Sequence, residues 1–379
     1  MKIPPIKINF PEESVKNIVN SVKESFKTGN LTLNKNVKAL EEAWKTLTGT
    51  KYAIATNSGT SSIELPLRAL LYKDQPEDWT AENKEIIIPA NTFIATASAV
   101  RNSYAKPILV DVTENLVMDP EDLKKKITDK TKGVIYVHIG GYVSKEILEI
   151  KKICEENNLF LIEDAAHAHG TSYEDKKTGT FGDAASFSFY PTKIITSGEG
   201  GMIVTDNEEI NKISRMRRDQ GKLNFSSANW EMFGNNYRMS EIHAAIGIAH
   251  TNLLKEFIKE RNSIAKVYDK ELESIKGIIP LKILHSKSNY YKYIVFLDNI
   301  DKQKFKQNMK ELGVSLSGEV YETPLHLQKA FLNFGYKKGD FPIAEKVCNK
   351  HVCLPIYNGM STEEINYVID CIKKTLEGV

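Results

Sequence analysis

The 379 residues carry 51 Lys and Arg against 49 Asp and Glu, a formal net charge of +2, and are 41% hydrophobic and 26% charged. That balance excludes a disordered chain and supplies no electrostatic pull toward nucleic acid. No run of about 18 apolar residues occurs, and Met1-Lys2-Ile3-Pro4-Pro5 lacks the apolar stretch of a signal peptide, so a cytoplasmic chain without membrane contact is expected.

The length exceeds what one hydrophobic core usually accommodates, so a large domain over residues 1–250 and a small C-terminal domain over 251–379 are expected. Short β-branched runs at 52–55, 85–88, 107–110, 133–137 and 159–162 alternate with amphipathic helical patterns such as 61–71 and 144–156. Strand then helix, repeated, argues for an α/β fold with a mostly parallel sheet covered on both faces. Two further strands, 184–189 and 202–205, make seven and leave Lys193 on the turn between them. A helical pattern without proline from 240 to 272 reads as a connector to the second domain. There, a strand at 290–297 and helices at 301–312 and 361–376 form a small α/β layer. Cys154, Cys348, Cys353 and Cys371 make no CxxC pair, which favours packed thiols over metal or redox chemistry.

Asp164 directly follows a strand, at the carboxyl end where open α/β sheets bind ligands. A carboxylate there either caps a helix or faces a cationic ring nitrogen, with gross attraction of about 4 kcal/mol at about 4 Å and an effective dielectric near 20. Lys193 sits among Phe189, Tyr190, Pro191 and Ile194, an apolar setting unlike that of a solvated surface lysine. A neutral lysine amine attacks carbonyl carbon and later serves as a base. Ser58-Gly59-Thr60 follows the first strand and precedes a helical pattern, so its amides and the Thr60 hydroxyl suit a phosphate, with Ser188 adding a second hydroxyl. Phe93 is placed to stack on a flat ring, and His167 to donate to a ring oxygen. An amine, a strand-end carboxylate and a phosphate turn are together what pyridoxal 5'-phosphate requires. A nicotinamide dehydrogenase would need GxGxxG after its first strand, and residues 55–60 do not supply it.

Ser58-Gly59-Thr60, Pro89 to Phe93, Glu163 to Gly170, Phe187 to Lys193, Gly198 to Gly201, Asn236 to Ser240, Pro324 to Gln328 and Leu354-Pro355-Ile356 occur in this order over nearly the whole chain. In that order they resemble the DegT/DnrJ/EryC1/StrS family of sugar aminotransferases. The resemblance implies the aspartate-aminotransferase-like fold (fold type I) and pyridoxal 5'-phosphate held covalently by Lys193. It pairs Asp164 with the pyridine nitrogen and gives the phosphate to Ser188 and the Gly59-Thr60 turn. It also implies a homodimer in which Asn236 reaches the partner subunit's phosphate site, a ketosugar acceptor, usually nucleotide-linked, and L-glutamate as amino donor. His167 stands where the family commonly has glutamine, and Tyr321-Glu322 where it has His-Tyr. These departures bear on which sugar is taken rather than on the cofactor chemistry. Tyr321, His326 and Arg238 are the candidate substrate contacts.

Arginine stands at 68, 101, 215, 217, 218, 238 and 261 and nowhere later. Aminotransferases for dicarboxylic keto acids resemble one another in clamping the α-carboxylate with a small-domain arginine. An acceptor without a carboxylate fits this chain better, with Arg238 as candidate for transient glutamate binding. Alternatives are a cyclitol (scyllo-inosose type) aminotransferase and a sugar dehydratase of the same family. The dehydratases resemble this chain with histidine in place of Lys193.

Overall fold

The computed structural model describes residues 1–72, 83–224, 226–316 and 318–377. Its main sheet has seven strands: β1 Tyr52–Thr56, β2 Glu85–Pro89, β3 Lys106–Val110, β4 Thr131–Val137, β5 Phe160–Asp164, β6 Ala184–Ser188 and β7 Gly201–Thr205. Their spatial order is β1-β7-β6-β5-β4-β2-β3, and β7 alone runs antiparallel to its neighbours. The central strands are buried on both faces, which is why they read as near-continuous apolar runs such as Ile86-Ile87-Ile88 rather than as alternating ones. Helices including Gly59–Leu71, Ile94–Asn102 and Glu146–Glu156 cover the sheet.

The expected strands and helices all form. Additional helices, Glu12–Thr28 and Lys35–Thr48, precede β1 and pack on the long helix Glu241–Leu272. That long helix joins two cores. Leu254 and Phe257 pack with Trp44 and Phe187, whereas Ile264, Tyr268 and Leu272 pack under a three-stranded sheet. This second sheet consists of β8 Ile278–Pro280, β9 Tyr293–Leu297 and β10 His351–Leu354, in the order β8-β9-β10. All four cysteines are free and buried. Among the described residues, no helix is long and apolar enough to cross a membrane.

The end of β5 is fixed by Glu163, which is wholly buried. Its Oε1 accepts from the amides of Phe181 and Gly182 at 2.8 and 3.0 Å, and its Oε2 accepts from Gly179 N at 2.9 Å. His138 Nε2 lies 2.8 Å from Oε2. Burial pushes the Glu163 carboxyl upward, but the hydrogen bond and charge of His138, with the Gly179 and Gly182 amides, outweigh it and hold the group below its ordinary 4.5. Replacing Glu163 with Ala strands three buried amides and one imidazole. We expect a loss of about 3–5 kcal/mol in urea unfolding. Because the folded value is depressed, this stabilisation is complete above pH 4.5 and is lost as the pH falls through the folded value. The gap between wild type and Glu163→Ala should therefore narrow on acidification.

Candidate active site

A cavity of about 610 Å³ opens at the carboxyl ends of the parallel strands, a volume typical of small-ligand sites. Ser58, Gly59, Thr60, Phe93, Asp164, His167, Ser188, Lys193 and Tyr321 all line it. Nine of the twelve residues singled out from sequence thus meet in one place, although they lie on segments far apart in the chain.

Lys193 lies on the loop between β6 and β7. The loop is closed by Phe189 N to Gly200 O at 2.9 Å and Ser197 N to Phe189 O at 3.0 Å, and Lys193 N donates to Tyr190 O at 3.0 Å. The ammonium stands 4.9 Å from the centroid of the Tyr291 ring. Asp164, 5% exposed, accepts from Thr96 Oγ1 at 2.8 Å and from Ala166 N at 3.2 Å. Burial raises its carboxyl above the ordinary 3.8, and Thr96, Ala166, Lys193 and His138 only partly offset this. A cationic ring nitrogen against this carboxylate would remove the mismatch.

The phosphate turn has the expected form. Ser58 caps the helix Gly59–Leu71, its Oγ accepting from Ser61 N at 3.1 Å, so that hydroxyl is already engaged. Among the described residues the amides of Gly59 and Thr60 find no acceptor, and the Thr60 hydroxyl no partner. A Cβ on Gly59 would lie 2.8 Å from Ser188 Cβ, so only glycine lets the helix start come this close to Ser188. Two free amides, a free hydroxyl and the positive helix end form a cradle that fits a phosphate dianion.

His167 is 6% exposed, and burial together with the charges of Lys193 and Lys292 holds its imidazolium well below 6.5. Its Nδ1 accepts from Gly140 N at 3.3 Å, so the neutral ring carries its proton on Nε2. It is therefore a donor. Phe93 is 55% exposed and stacks with Tyr321, ring centroids 5.9 Å apart at 25°. Tyr321 itself is held in the left-handed region, φ 73°, and burial drives its hydroxyl well above 10. An aromatic floor, a buried acid, a donor imidazole, an amine and an anion cradle are the parts that pyridoxal 5'-phosphate needs, and they fit it.

Asn236, Arg238 and His326 do not line the cavity. Asn236 O accepts from Asn57 Nδ2 at 3.3 Å, behind the phosphate turn. Arg238 is paired with Asp219 at 2.7 Å. His326, 4% exposed, packs edge-on against Phe341 with Nε2 2.9 Å from Glu345 Oε1. Conversely, Thr96, Tyr291, Lys292 and the segment Gly318–Val320 belong to the site or its support and were not marked by the sequence. Tyr291-Lys292 lies in the expected strand 290–297, a signal for β9, which starts at Tyr293, but not for a cavity wall. Thr96 is a lone hydroxyl in a helix and gave no signal. Tyr291 is pulled below its ordinary 10.0: burial works upward, but Lys193, Lys292, the Thr192 hydroxyl and Arg261 together prevail.

A protein of Methanocaldococcus jannaschii without an assigned function is 37% identical over 98% of this chain and 97% of its own length. GDP-perosamine synthase of Vibrio cholerae is 31% identical, covering 85% of this chain and 86% of that one. The solved structure of Spr1654 from Streptococcus pneumoniae in its pyridoxal phosphate form superposes with a TM-score of 0.90. It is 25% identical and covers 100% of this chain and 99% of its own. Residues 12–373 match one family throughout. The chain belongs to the DegT/DnrJ/EryC1/StrS aminotransferase family and is a pyridoxal phosphate-dependent transaminase.

Proposed function

We propose that this enzyme moves the amino group of L-glutamate to a ketosugar carried as a nucleotide sugar, in the synthesis of an amino sugar for a surface glycan or secondary metabolite. The observation that carries the reading is the convergence of Lys193, Asp164 and the Gly59-Thr60 turn on one cavity. The GDP-perosamine synthases among the relatives support a nucleotide-linked acceptor. The absence of arginine after Arg261 supports an acceptor without a carboxylate, such as a ketosugar.

In this reading Lys193 would hold the cofactor covalently, and its free amine would carry the proton at the amino-bearing carbon. Bound pyridoxal phosphate supplies the electron sink for that carbon. Asp164 keeps a positive charge on the ring nitrogen favourable, in a burial where the effective dielectric is low. Thr96 and Ala166 aim its two oxygens. His167 would donate from Nε2 to a ring oxygen, Phe93 would cover one face, and Ser188 with the Gly59-Thr60 turn would take the phosphate.

A homodimer belongs to the same reading. Leu223, Trp230 and Phe233 are 53%, 66% and 74% exposed on the segment leading to Asn236. An apolar cluster of this kind on one segment is characteristic of a contact surface. It supports Asn236 entering the partner subunit's phosphate site.

The test is spectroscopic. Adding L-glutamate to the holoenzyme should bleach the visible cofactor absorbance, and an accepting nucleotide ketosugar should restore it. A spectrum that ignores glutamate removes it as donor. Lys193→Ala should lose multiple turnover entirely in steady-state assay, and retained turnover would refute its role. Mixing Lys193→Ala with Asn236→Ala subunits should regain part of the activity that each variant lacks alone, because one site of the mixed dimer then has both native groups. No recovery on mixing, with subunit exchange verified by mass, would rule out shared sites.

A further inference from the structure

An amino-acid donor brings a carboxylate on the same carbon as its amine, so a counter-charge is needed close to Lys193. No arginine of the same subunit lines the cavity. Arg238 is held by Asp219 outside the cavity, and Arg261, 2% exposed, spends its guanidinium on Asn358 and the carbonyls of Tyr290 and Ile356. Lys292 does line the cavity, and among the described residues its ammonium has no carboxylate partner. The acids nearby are engaged or peripheral: Glu319 pairs with Lys306, Asp164 is bonded to Thr96 and Ala166, and Glu199 is exposed.

We propose that Lys292 receives the α-carboxylate of the amino donor, an inference that rests on the donor being an α-amino acid. The Tyr291 ring that neighbours Lys193 Nζ at 4.9 Å neighbours Lys292 Nζ at 5.1 Å. Its backbone is fixed, Lys292 N donating to Gly140 O at 3.0 Å. Opposite, Gly318 (φ +95°) leaves room for the head group, since a Cβ there would stand 3.0 Å from Lys292 Nζ. A nucleotide diphosphate lies several bonds from a keto carbon, so its receptor belongs farther from Lys193. That separation assigns Lys292 to the donor. The residue type also suits a site visited by two unlike substrates. A lysine on a flexible stem turns aside for a neutral ketosugar, whereas a fixed guanidinium would be left buried and unpaired.

The holoenzyme and its Lys292→Met variant are titrated with L-glutamate, L-glutamine, L-aspartate and L-alanine, following the cofactor absorbance. For whichever amino acid donates, the half-saturating concentration should rise roughly tenfold or more in the variant, the loss of one charge-assisted hydrogen bond. The matching α-carboxamide should bind the wild type as poorly as the variant binds the acid, and the variant should not distinguish the two. This second arm needs no variant to fold. Unchanged half-saturation, or a shift confined to the ketosugar titration, overturns the proposal. Silence of glutamate alone, with another amino acid donating in a Lys292-dependent way, discards glutamate and keeps Lys292.

Discussion

Two successive acids at the end of β5 organise this molecule because successive strand residues face opposite sides of a sheet. Glu163 points into the body of the protein and gathers the Gly179–Gly182 turn and His138. Asp164 points into the cavity. One strand end therefore binds the fold together on one face and delivers a buried charge on the other. The two groups are displaced in opposite directions, Glu163 downward because its partners are complete and Asp164 upward because they are not. The unsatisfied acid lies in the cavity, where a ligand can meet it.

The rest of the cavity follows the same electrostatic arrangement. Lys193 and Lys292 bring positive charge, and His167 stays neutral so as not to add a third. The Tyr291 phenol is drawn down toward ionisation by those cations. The free amides of the helix Gly59–Leu71 add a partial positive charge at the far end. Such a site invites anions at both ends and a cation only at Asp164.

Most of the large sheet was legible because β-branched runs of four or five residues separated by helical periods have few alternative readings. The cavity residues near that sheet were legible for a related reason: Ser58-Gly59-Thr60 and Asp164 stand at strand ends, where parallel sheets place ligands, and Lys193 lies on the loop beyond one. What escaped lies on the smaller layer and in second-tier contacts. Lys292 and Gly318 become neighbours of Lys193 only when β9 and the following loop fold back over the sheet, a juxtaposition that no local pattern encodes. His326 lies within the Pro324-to-Gln328 motif, yet its imidazole is spent on Glu345 and Phe341. Arg238, expected as a contact for glutamate, is paired with Asp219 and does not line the cavity.

The one antiparallel strand carries a mechanical implication. Gly201, at the start of β7, pairs on one side with Thr56 at the end of β1 and on the other with Ser188 at the end of β6. A Cβ there would meet Ser58 O at 2.3 Å. Both sides of the anion cradle, the Gly59-Thr60 turn and Ser188, are thus tied to a single residue and form one rigid jaw.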